Sequence, residues 1–268
     1  MKFFLIIGGT GVMGASAIRA IHEHFDKNIV IIANWYGKEI PGFEIEGANH
    51  TIFGDINDPN CRNKIKSFND GSFDYMFYAT ALGDVGIPIK DATKDQIIRS
   101  NKLSFDPIPQ LENELSIETT VAYSTFYTIR HQLSTYGAMG HSKENIEKWA
   151  VETDGTSKHA CIRAGLFESP SSRGIKLLLR KTSKNLDNLK DPLLRSYFEN
   201  SPSSEGIKKF VEGIFKEEKE EYGDCRTDKE DLFRAHLELL KSSNPTFINV
   251  CGKKIWPSKD PLLLKQYL

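Results

Sequence analysis

Short apolar runs alternate with amphipathic stretches over the first two thirds of the chain. Seven such runs along the sequence predict β-strands, at residues 3–7, 28–32, 50–53, 75–79, 119–123, 160–164 and 246–250. Stretches such as residues 14–24 and 93–101 have apolar positions at helical spacing. Short apolar strands separated by helices are typical of a parallel sheet that is covered on both faces. The pattern therefore predicts the fold class α/β, with a doubly wound parallel sheet (a Rossmann fold) of about seven strands.

The alternation of strands and helices is interrupted in residues 176–243. This segment is mostly polar with a helical pattern, and its run KEEKEE at 216–221 is typical of a solvated helix face. We expect a helical insertion before the last strand that packs over the substrate side. A chain of 268 residues can bury one large core, and no composition shift marks a boundary, so residues 1–268 are predicted to form a single domain.

The composition argues against two classes of partner, membranes and nucleic acids. Hydrophobic residues are 39% and charged residues 26% of the chain, as in ordinary soluble proteins, and no window approaches the ~20 apolar residues that span a bilayer. The formal net charge of −1 argues against a nucleic-acid partner, which requires a basic surface. The four cysteines are scattered without a pairing pattern, which suits a reducing compartment. We therefore expect a cytoplasmic protein with neither a membrane nor a nucleic-acid partner.

The first predicted strand leads into a glycine-rich turn and then a helix, in the stretch FFLIIGGTGVMGASAIRAI. Such a turn lets backbone amides approach a pyrophosphate at the helix N-terminus. Glycines also occur in tight turns for conformational reasons alone, but a turn that follows the first strand and opens a helix favours dinucleotide binding. The residues expected to contact the dinucleotide here are Gly8, Thr10, Gly11, Val12, Met13 and Gly14.

The end of the second strand bears on the choice between NAD and NADP. An acidic residue there would bind the ribose 2′-hydroxyl of NAD, but Asn34 occupies the position and Lys38 follows it. The missing carboxylate at position 34 removes the repulsion that a 2′-phosphate would feel, and Lys38 could pair with that phosphate, which favours NADP; Lys38 is equally well read as a surface lysine. After the third strand, Asp55 and Ile56 are placed to meet the adenine, unless the aspartate only closes a turn.

Together these features resemble the short-chain dehydrogenase/reductase family, over nearly the whole chain. The residues and motifs that carry the resemblance are Gly8-x-x-Gly11-x-x-Gly14, Asp55, YATALG after the fourth strand, Asn101, YST after the fifth strand, Lys143 and the closing INVCG. The resemblance implies that Lys143 binds the nicotinamide ribose and lowers the pKa of a tyrosine, ordinarily about 10, so that the tyrosine can protonate the substrate. It also implies a homodimer or homotetramer. Further cofactor contacts that it implies are Ala79, Thr80, Ala81, Gly165 and Phe167.

The catalytic tyrosine is not at the family's usual place. Four residues before Lys143 stands Met139, and the nearest tyrosine is Tyr136, seven residues before the lysine. This Tyr-x6-Lys spacing resembles one branch of the family, the enoyl-acyl carrier protein reductases, and RAGLFESPSSRGI at 163–175 resembles that branch too. The resemblance implies a catalytic set of Tyr136, Lys143, Ser124 and Tyr127, the last being one of two aromatic residues about nine positions before Tyr136. Ser124 could hydrogen-bond the substrate or hold the tyrosine, or it could be a helix cap.

The longer spacing has a chemical reason. Seven residues of helix turn about 700°, which leaves Tyr136 and Lys143 on one face but about 10 Å apart. When a C=C bond conjugated to a thioester is reduced, charge collects on an enolate oxygen well beyond the carbon that accepts the hydride, so a donor for that oxygen should lie farther away. The sequence thus predicts an NAD(P)H-dependent reductase of an enoyl thioester, acting on a small-molecule or acyl-carrier-bound substrate. A catalytically inactive dinucleotide-binding protein, and a carbonyl or sugar-nucleotide oxidoreductase, stay open as alternatives.

Overall fold

The computed structural model describes residues 1–25, 27–152, 157–184, 186–199, 201–242 and 245–267. One sheet runs through the described part of the chain, and its strands are β1 (Lys2–Ile7), β2 (Ile29–Trp35), β3 (His50–Phe53), β4 (Ser72–Tyr78), β5 (Ser116–Thr125), β6 (Lys158–Ala164), β7 (Phe247–Cys251) and β8 (Lys254–Ser258). Their spatial order is β3-β2-β1-β4-β5-β6-β7-β8, and every neighbouring pair is parallel except β7 with β8. The predicted α/β class and doubly wound sheet are confirmed, with one strand more than expected.

Helices connect the parallel strands. They are α1 (Val12–His24), α2 (Pro59–Lys66), α3 (Lys94–Ser104), α4 (Pro107–Glu114), α5 (Arg130–Leu133), α6 (Gly137–Ala150), α7 (Pro170–Thr182), α8 (Pro192–Phe198), α9 (Ser203–Tyr222) and α10 (Lys229–Lys241). Polar caps define several starts: the side chains of Thr93 and Asp228 accept backbone hydrogen bonds at the beginning of α3 and α10. No helix in these described ranges is long and apolar enough to cross a bilayer.

The sheet is buried on both faces because alternate residues of its central strands point to opposite sides. Phe4 and Ile6 of β1 belong to the core cluster that includes apolar residues of α1 and α10. Leu5 and Ile7 belong to the opposite cluster, which includes residues of α2, α4 and α6. This double burial explains why the strands are nearly continuous apolar runs in the sequence.

The segment 176–243 contributes to two layers of the molecule. Its last helix, α10, lies against the sheet beside α1, whereas α7, α8 and α9 form a separate apolar cluster with the chain that follows β5. That cluster lies beyond the carboxyl end of the sheet and includes Leu179, Leu194 and Phe210 together with Phe126 and Ile129. The helices of this cluster therefore cover the edge at which ligands bind in doubly wound proteins. Within the segment, residues 185, 200 and 243 lie outside the described residues.

Candidate functional site

A cavity of about 580 Å³ opens at the carboxyl ends of β1, β4, β5 and β6. The turn before α1, the loops after β4 and β6, and residues of α6, α7 and α9 form its walls. Many of the residues that the sequence singled out line it: Thr10, Gly11, Val12, Met13, Ala79, Thr80, Ala81, Ser124, Tyr136, Lys143, Gly165 and Phe167. This is the position where an open α/β sheet binds its ligand.

The glycine turn fits a pyrophosphate. A Cβ atom at Gly14 would overlap the carbonyl oxygen of Gly8, so only glycine lets α1 start this close to the end of β1. Gly11 precedes α1, where no side chain in the described structure caps the helix and the first turn has no acidic residue. The first N–H groups of α1 are thus left for a ligand, and the helix dipole favours an anion there.

Lys143 lies on α6 with its ammonium group buried at the cavity wall. Its Nζ donates a hydrogen bond to the carbonyl oxygen of Tyr123, at the end of β5, over 2.7 Å. Burial lowers the pKa of Lys143 to about 8, because the charged form loses its hydration. An ammonium group has three N–H donors, so two remain for a ligand in the cavity.

The chain from Tyr136 to Lys143 is not the continuous regular helix that their spacing suggested. It stands immediately before α6, and Gly137 has a φ of +47°, so the two residues do not continue one regular helix toward Lys143. A side chain at Gly137 would overlap the carbonyl oxygen of Asp84, which makes glycine necessary at this bend. Tyr136 and Lys143 nevertheless line the same cavity.

The protonation of Tyr136 differs from what the family resemblance implied. Burial raises the pKa of Tyr136 to about 12, and the ammonium of Lys143 does not contribute to the shift. The phenol is therefore neutral at ordinary pH and can donate a hydrogen bond.

Of the tyrosines along this cavity, Tyr136 is the one with an unengaged hydroxyl. The Tyr78 hydroxyl donates to the carbonyl oxygen of Leu103, and the Tyr123 hydroxyl shares a hydrogen bond of 2.8 Å with His236 on the far side. Within the described ranges the Tyr136 hydroxyl has no hydrogen-bond partner, and its residue is partly exposed to the cavity. This is the geometry expected of a group that contacts a ligand.

Met139 fills the place of the family's usual tyrosine. Its side chain is buried between α6 and α3, where the hydroxyls of Ser100 and Ser104 approach its Sδ at 3.5 and 3.7 Å. Met139 also lines the cavity, so it presents an apolar surface one turn before Lys143.

Ser124 lines the cavity, but its hydroxyl is committed to the protein. Its Oγ donates to the carboxylate of Glu147, on α6, over 2.6 Å. This bond ties the end of β5 to the helix that holds Lys143, so the geometry gives Ser124 a supporting position beside the cavity.

Tyr127 is a correction to the predicted catalytic set. Its side chain is completely buried, lies outside the cavity and donates a short hydrogen bond to the carbonyl oxygen of Leu262. The ring packs with Ile89 and Leu264 beneath the chain that follows β8. Because the loop after β5 turns this side chain away from the cavity, it cannot touch a ligand there.

Asn34 and Lys38 also lie away from the cavity. Strand β2 continues through Asn34, which turns its side chain inward, where Nδ2 donates to the carbonyl oxygens of Ile52 and Gly54 at 3.2 Å. The proposed contact of the Asn34 side chain with the ribose is therefore wrong. Lys38 is exposed in the loop after β2.

The residues predicted at the adenine have separate environments. The Asp55 carboxylate accepts hydrogen bonds from the backbone and side chain of Asn57 and so closes a turn after β3. Ile56 is buried in the core beneath the sheet, which contradicts its predicted packing against an adenine.

Sequence reasoning missed the apolar half of the cavity. These residues come from the loop after β4 and from helices α7 and α9, and they include Leu82, Val85, Ile175, Leu178, Leu179, Phe210, Val211 and Ile214. The amphipathic pattern of the 176–243 segment was the available signal, but it does not reveal which residues reach a cavity. Gln132 and Thr135, next to Tyr136, were missed as well.

Comparison with known proteins places the fold. No family model matches the sequence, and no curated protein matches it either. Among solved structures, a short-chain dehydrogenase family protein from Francisella tularensis subsp. tularensis SCHU S4 is similar at 17% identity and a TM-score of 0.58, over 94% of this chain and 98% of that one. A short-chain dehydrogenase/reductase from Saccharomyces cerevisiae is similar at 16% identity and a TM-score of 0.57, over 89% of this chain and 90% of that one.

A third similar structure was solved with a nucleotide. It is a small-chain dehydrogenase in complex with NADPH, with 12% identity and a TM-score of 0.56, over 94% of this chain and 97% of that one. At these identities the similarity concerns the backbone. The chain has the fold of the short-chain dehydrogenases/reductases.

Proposed function

We propose that this protein is an NAD(P)H-dependent oxidoreductase of the short-chain dehydrogenase/reductase type that reduces the C=C bond of an enoyl thioester. The observation that carries the proposal is the meeting of three features in one cavity: the glycine turn before α1, the buried ammonium of Lys143 and the unengaged hydroxyl of Tyr136. A solved structure of the same fold is a complex with NADPH, which supports the same class of cofactor here.

The chain's own residues fit the cofactor. The free N–H groups of α1 suit the pyrophosphate, and Lys143 keeps two N–H donors for the ribose hydroxyls. Gly165 and Phe167, after β6, line the wall of the same cavity and would flank the nicotinamide. When bound, this cofactor supplies a hydride. We favour NADP over NAD because the loop after β2 carries the exposed Lys38, which could pair with a 2′-phosphate.

Tyr136 is suited to stabilise an oxygen on which negative charge develops. Its pKa of about 12 keeps the phenol neutral, so its hydroxyl can donate a hydrogen bond to such an oxygen. Lys143 lines the same cavity and is bonded to the end of β5. The substrate's acyl chain would lie against the apolar wall from α7 and α9, which excludes water from the reacting carbon.

Reduction of a carbonyl is the second candidate. A phenol that donates to an enolate oxygen can also donate to an alkoxide oxygen, and the similar folds are dehydrogenases by name. The two reactions differ in where the donor must lie relative to the carbon that accepts the hydride. Tyr136 precedes α6, seven residues before Lys143, whereas the family's usual tyrosine position is occupied by Met139 one turn before the lysine; this longer spacing favours the more distant oxygen of an enoyl thioester.

The test is a direct assay with matched variants. Oxidation of NADPH and of NADH is followed with crotonyl and longer enoyl thioesters, and separately with simple ketones and aldehydes. Tyr136→Phe is expected to lower kcat by about 100-fold or more, the effect of removing one oxyanion donor. Tyr267→Phe is the control, because Tyr267 is an exposed tyrosine near the C-terminus.

Each alternative has its own outcome. Turnover of ketones without turnover of enoyl thioesters would support the carbonyl reaction. Nucleotide binding without turnover of either class would support a non-catalytic binding protein. Full activity in Tyr136→Phe would remove Tyr136 from the reaction.

A further inference from the structure

Glu218 is a buried carboxyl group that the proposed reaction does not use. It lies on α9 with 1% of its surface exposed, and its Oε1 accepts the backbone N–H of Leu166 over 2.6 Å. Its Oε2 is buried as well and has no hydrogen-bond partner within the described part of the chain. A buried carboxyl group with an unpartnered oxygen costs free energy, so its presence calls for an explanation.

The protein supplies no positive charge for this carboxyl group. Among the described residues, only burial and the Leu166 N–H shift the pKa of Glu218, and burial raises it to about 7. Burial also raises the pKa of three neighbouring groups, Cys225, Cys251 and Tyr222, which are therefore neutral at ordinary pH. The charged side chains on nearby turns of α9, on the flanking loops and on β8 are exposed or bonded to other groups: Glu168, Glu217, Lys219, Glu221, Asp224, Arg226 and Lys254.

The Glu218 carboxyl group lies directly behind the cavity wall. Gly165 and Leu166, which follow β6, line the cavity, and a Cβ atom at Gly165 would lie 3.2 Å from Oε1 of Glu218. No side chain therefore separates the Gly165 backbone from this carboxyl group. Because the surroundings are buried, they screen charge weakly, and a ligand group that lies against Gly165 interacts with the charge of Glu218.

The two forms of the nicotinamide nucleotide differ at the group that Gly165 would flank. The oxidised ring carries one positive charge and the reduced ring is neutral, whereas the phosphates are the same in both forms. An opposite charge close to a carboxylate favours its ionised form. The oxidised ring is thus the kind of cation that the buried Glu218 carboxyl group lacks in the protein alone.

We propose that Glu218 sets the preference of this protein between the oxidised and the reduced nucleotide. Ionised Glu218 attracts the cationic ring, whereas protonated Glu218 does not distinguish the two forms by charge. Binding of the oxidised form therefore releases a proton from Glu218 and becomes tighter as the pH rises through neutrality. The inference rests on the nucleotide-binding part of the proposed function and not on its enoyl substrate.

The size of the effect follows from the interaction of two charges. Opposite charges about 12 Å apart, at an effective dielectric constant of about 20, shift a pKa by about one unit. From a starting pKa of about 7, such a shift makes binding of the oxidised form about fivefold tighter at pH 8 than at pH 6. It also releases about 0.4 proton per nucleotide bound at pH 7.

Calorimetric titration of the full chain measures both quantities. The oxidised and reduced forms of the tighter-binding nucleotide, NADP or NAD, are titrated at pH 6, 7 and 8. Titrations at pH 7 in two buffers of different ionisation enthalpy give the number of protons released. In the wild type, the ratio of the affinity for the oxidised form to that for the reduced form should rise by about fivefold or more from pH 6 to pH 8.

Two variants separate Glu218 from Lys143, which also lines the cavity and has a pKa of about 8. Glu218→Gln keeps an oxygen for the Leu166 N–H but cannot ionise, so the rise in the ratio should be about fivefold smaller than in the wild type. Lys143→Met retains Glu218 and should keep that fivefold rise even where its overall affinity is lower. Glu221→Gln, an exposed change on the same helix, is the matched control and should behave as the wild type.

The proposal is overturned if the wild-type ratio does not change with pH, if the protein binds neither nucleotide, or if Glu218→Gln keeps the wild-type rise. A constant ratio in Lys143→Met would overturn it as well, and this test holds even if Glu218→Gln does not fold. The reaction is judged separately. A ratio that depends on Glu218, without reduction of any enoyl thioester, would reject the proposed reaction and keep this role of Glu218.

Discussion

Arg163 and Glu147 form a buried ion pair directly behind the cavity. The Nη2 and Nε atoms of Arg163, on β6, lie 2.7 and 2.9 Å from the two carboxylate oxygens of Glu147, on α6. The side chains are 5% and 0% exposed, so neither charge is hydrated. Glu147 also accepts hydrogen bonds from the Ser124 hydroxyl and the Leu262 backbone, so the pair joins two strands, α6 and the C-terminal chain.

Removal of one partner should destabilise the protein strongly. Arg163→Met leaves the Glu147 carboxylate buried without its cation, which costs about 3–5 kcal/mol in comparable buried pairs. Urea denaturation measures the free energy of unfolding. The double variant Glu147→Gln with Arg163→Met is expected to lose less than the sum of the single changes, because it leaves no unpaired charge.

The exposed pair Arg19–Glu230 provides the control for this prediction. Both of its side chains are 56% exposed, so Arg19→Met should change the free energy of unfolding by less than about 1 kcal/mol. Equal losses at Arg163 and Arg19 would contradict the special role of the buried pair.

Tyr127→Phe separates structure from catalysis. The Tyr127 hydroxyl donates to the Leu262 carbonyl within the core, so its removal leaves a buried acceptor and should cost about 1–3 kcal/mol of stability. Because the side chain lies outside the cavity, kcat should stay within about twofold of wild type once the protein is folded. Thermal denaturation and the NADPH assay, run on the same sample, check both parts. A large fall in kcat with unchanged stability would return Tyr127 to the catalytic set.

The strands could be predicted from sequence because burial on both faces demands uninterrupted apolar residues. The strand that escaped prediction, β8, shows the converse. It is an antiparallel edge strand that contains Pro257, and its residues are partly exposed, so it leaves no apolar run to detect. The glycine turn was predictable because the close contact between Gly14 and the Gly8 carbonyl joins residues that are near in sequence. That contact therefore appears in the sequence as a short glycine pattern.

Side-chain direction at the ends of strands could not be predicted. Whether Asn34 faces a cofactor or the core depends on where β2 ends. Strand β2 ends at Trp35, later than the sequence predicted, so Asn34 lies inside the sheet. Tyr127 and Gln132 follow β5 within a few residues, yet one points into the core and the other lines the cavity. That difference arises from the packing of α9 and the C-terminal chain, which no short pattern encodes.

Glu218 should make stability depend on pH. This carboxyl group on α9 accepts the Leu166 N–H beside the cavity wall, and burial raises its pKa to about 7 from an ordinary 4.5. Between these values the folded state retains a proton that the unfolded chain releases, so stability falls as pH rises. Glu218→Gln removes this titration. From pH 5 to pH 8, the free energy of unfolding of the wild type should therefore fall by about 2–3 kcal/mol more than that of Glu218→Gln.

The exposed Glu221 is the matched control for Glu218. Glu221→Gln should follow the wild-type pH dependence, because it leaves the buried Glu218 carboxyl unchanged. If Glu218→Gln and wild type show the same slope from pH 5 to pH 8, the Glu218 carboxyl is ionised in the folded protein at neutral pH and the expectation is wrong.

Lys143→Met should raise the stability of the protein at neutral pH and weaken its binding of the nucleotide. Burial lowers the pKa of Lys143 to about 8 from 10.5, so the unfolded chain binds the proton more tightly and wild-type stability rises with pH over this interval. At pH 7 the variant removes an unfavourable buried charge but also the bond to the Tyr123 carbonyl, for a net gain of about 1–2 kcal/mol. That gain should disappear by pH 10, while affinity for NADP⁺ falls at least tenfold. Urea titrations at both pH values and calorimetry with NADP⁺ measure the two effects, with the exposed Lys102→Met as control. An unchanged affinity for NADP⁺ would remove Lys143 from the cofactor site.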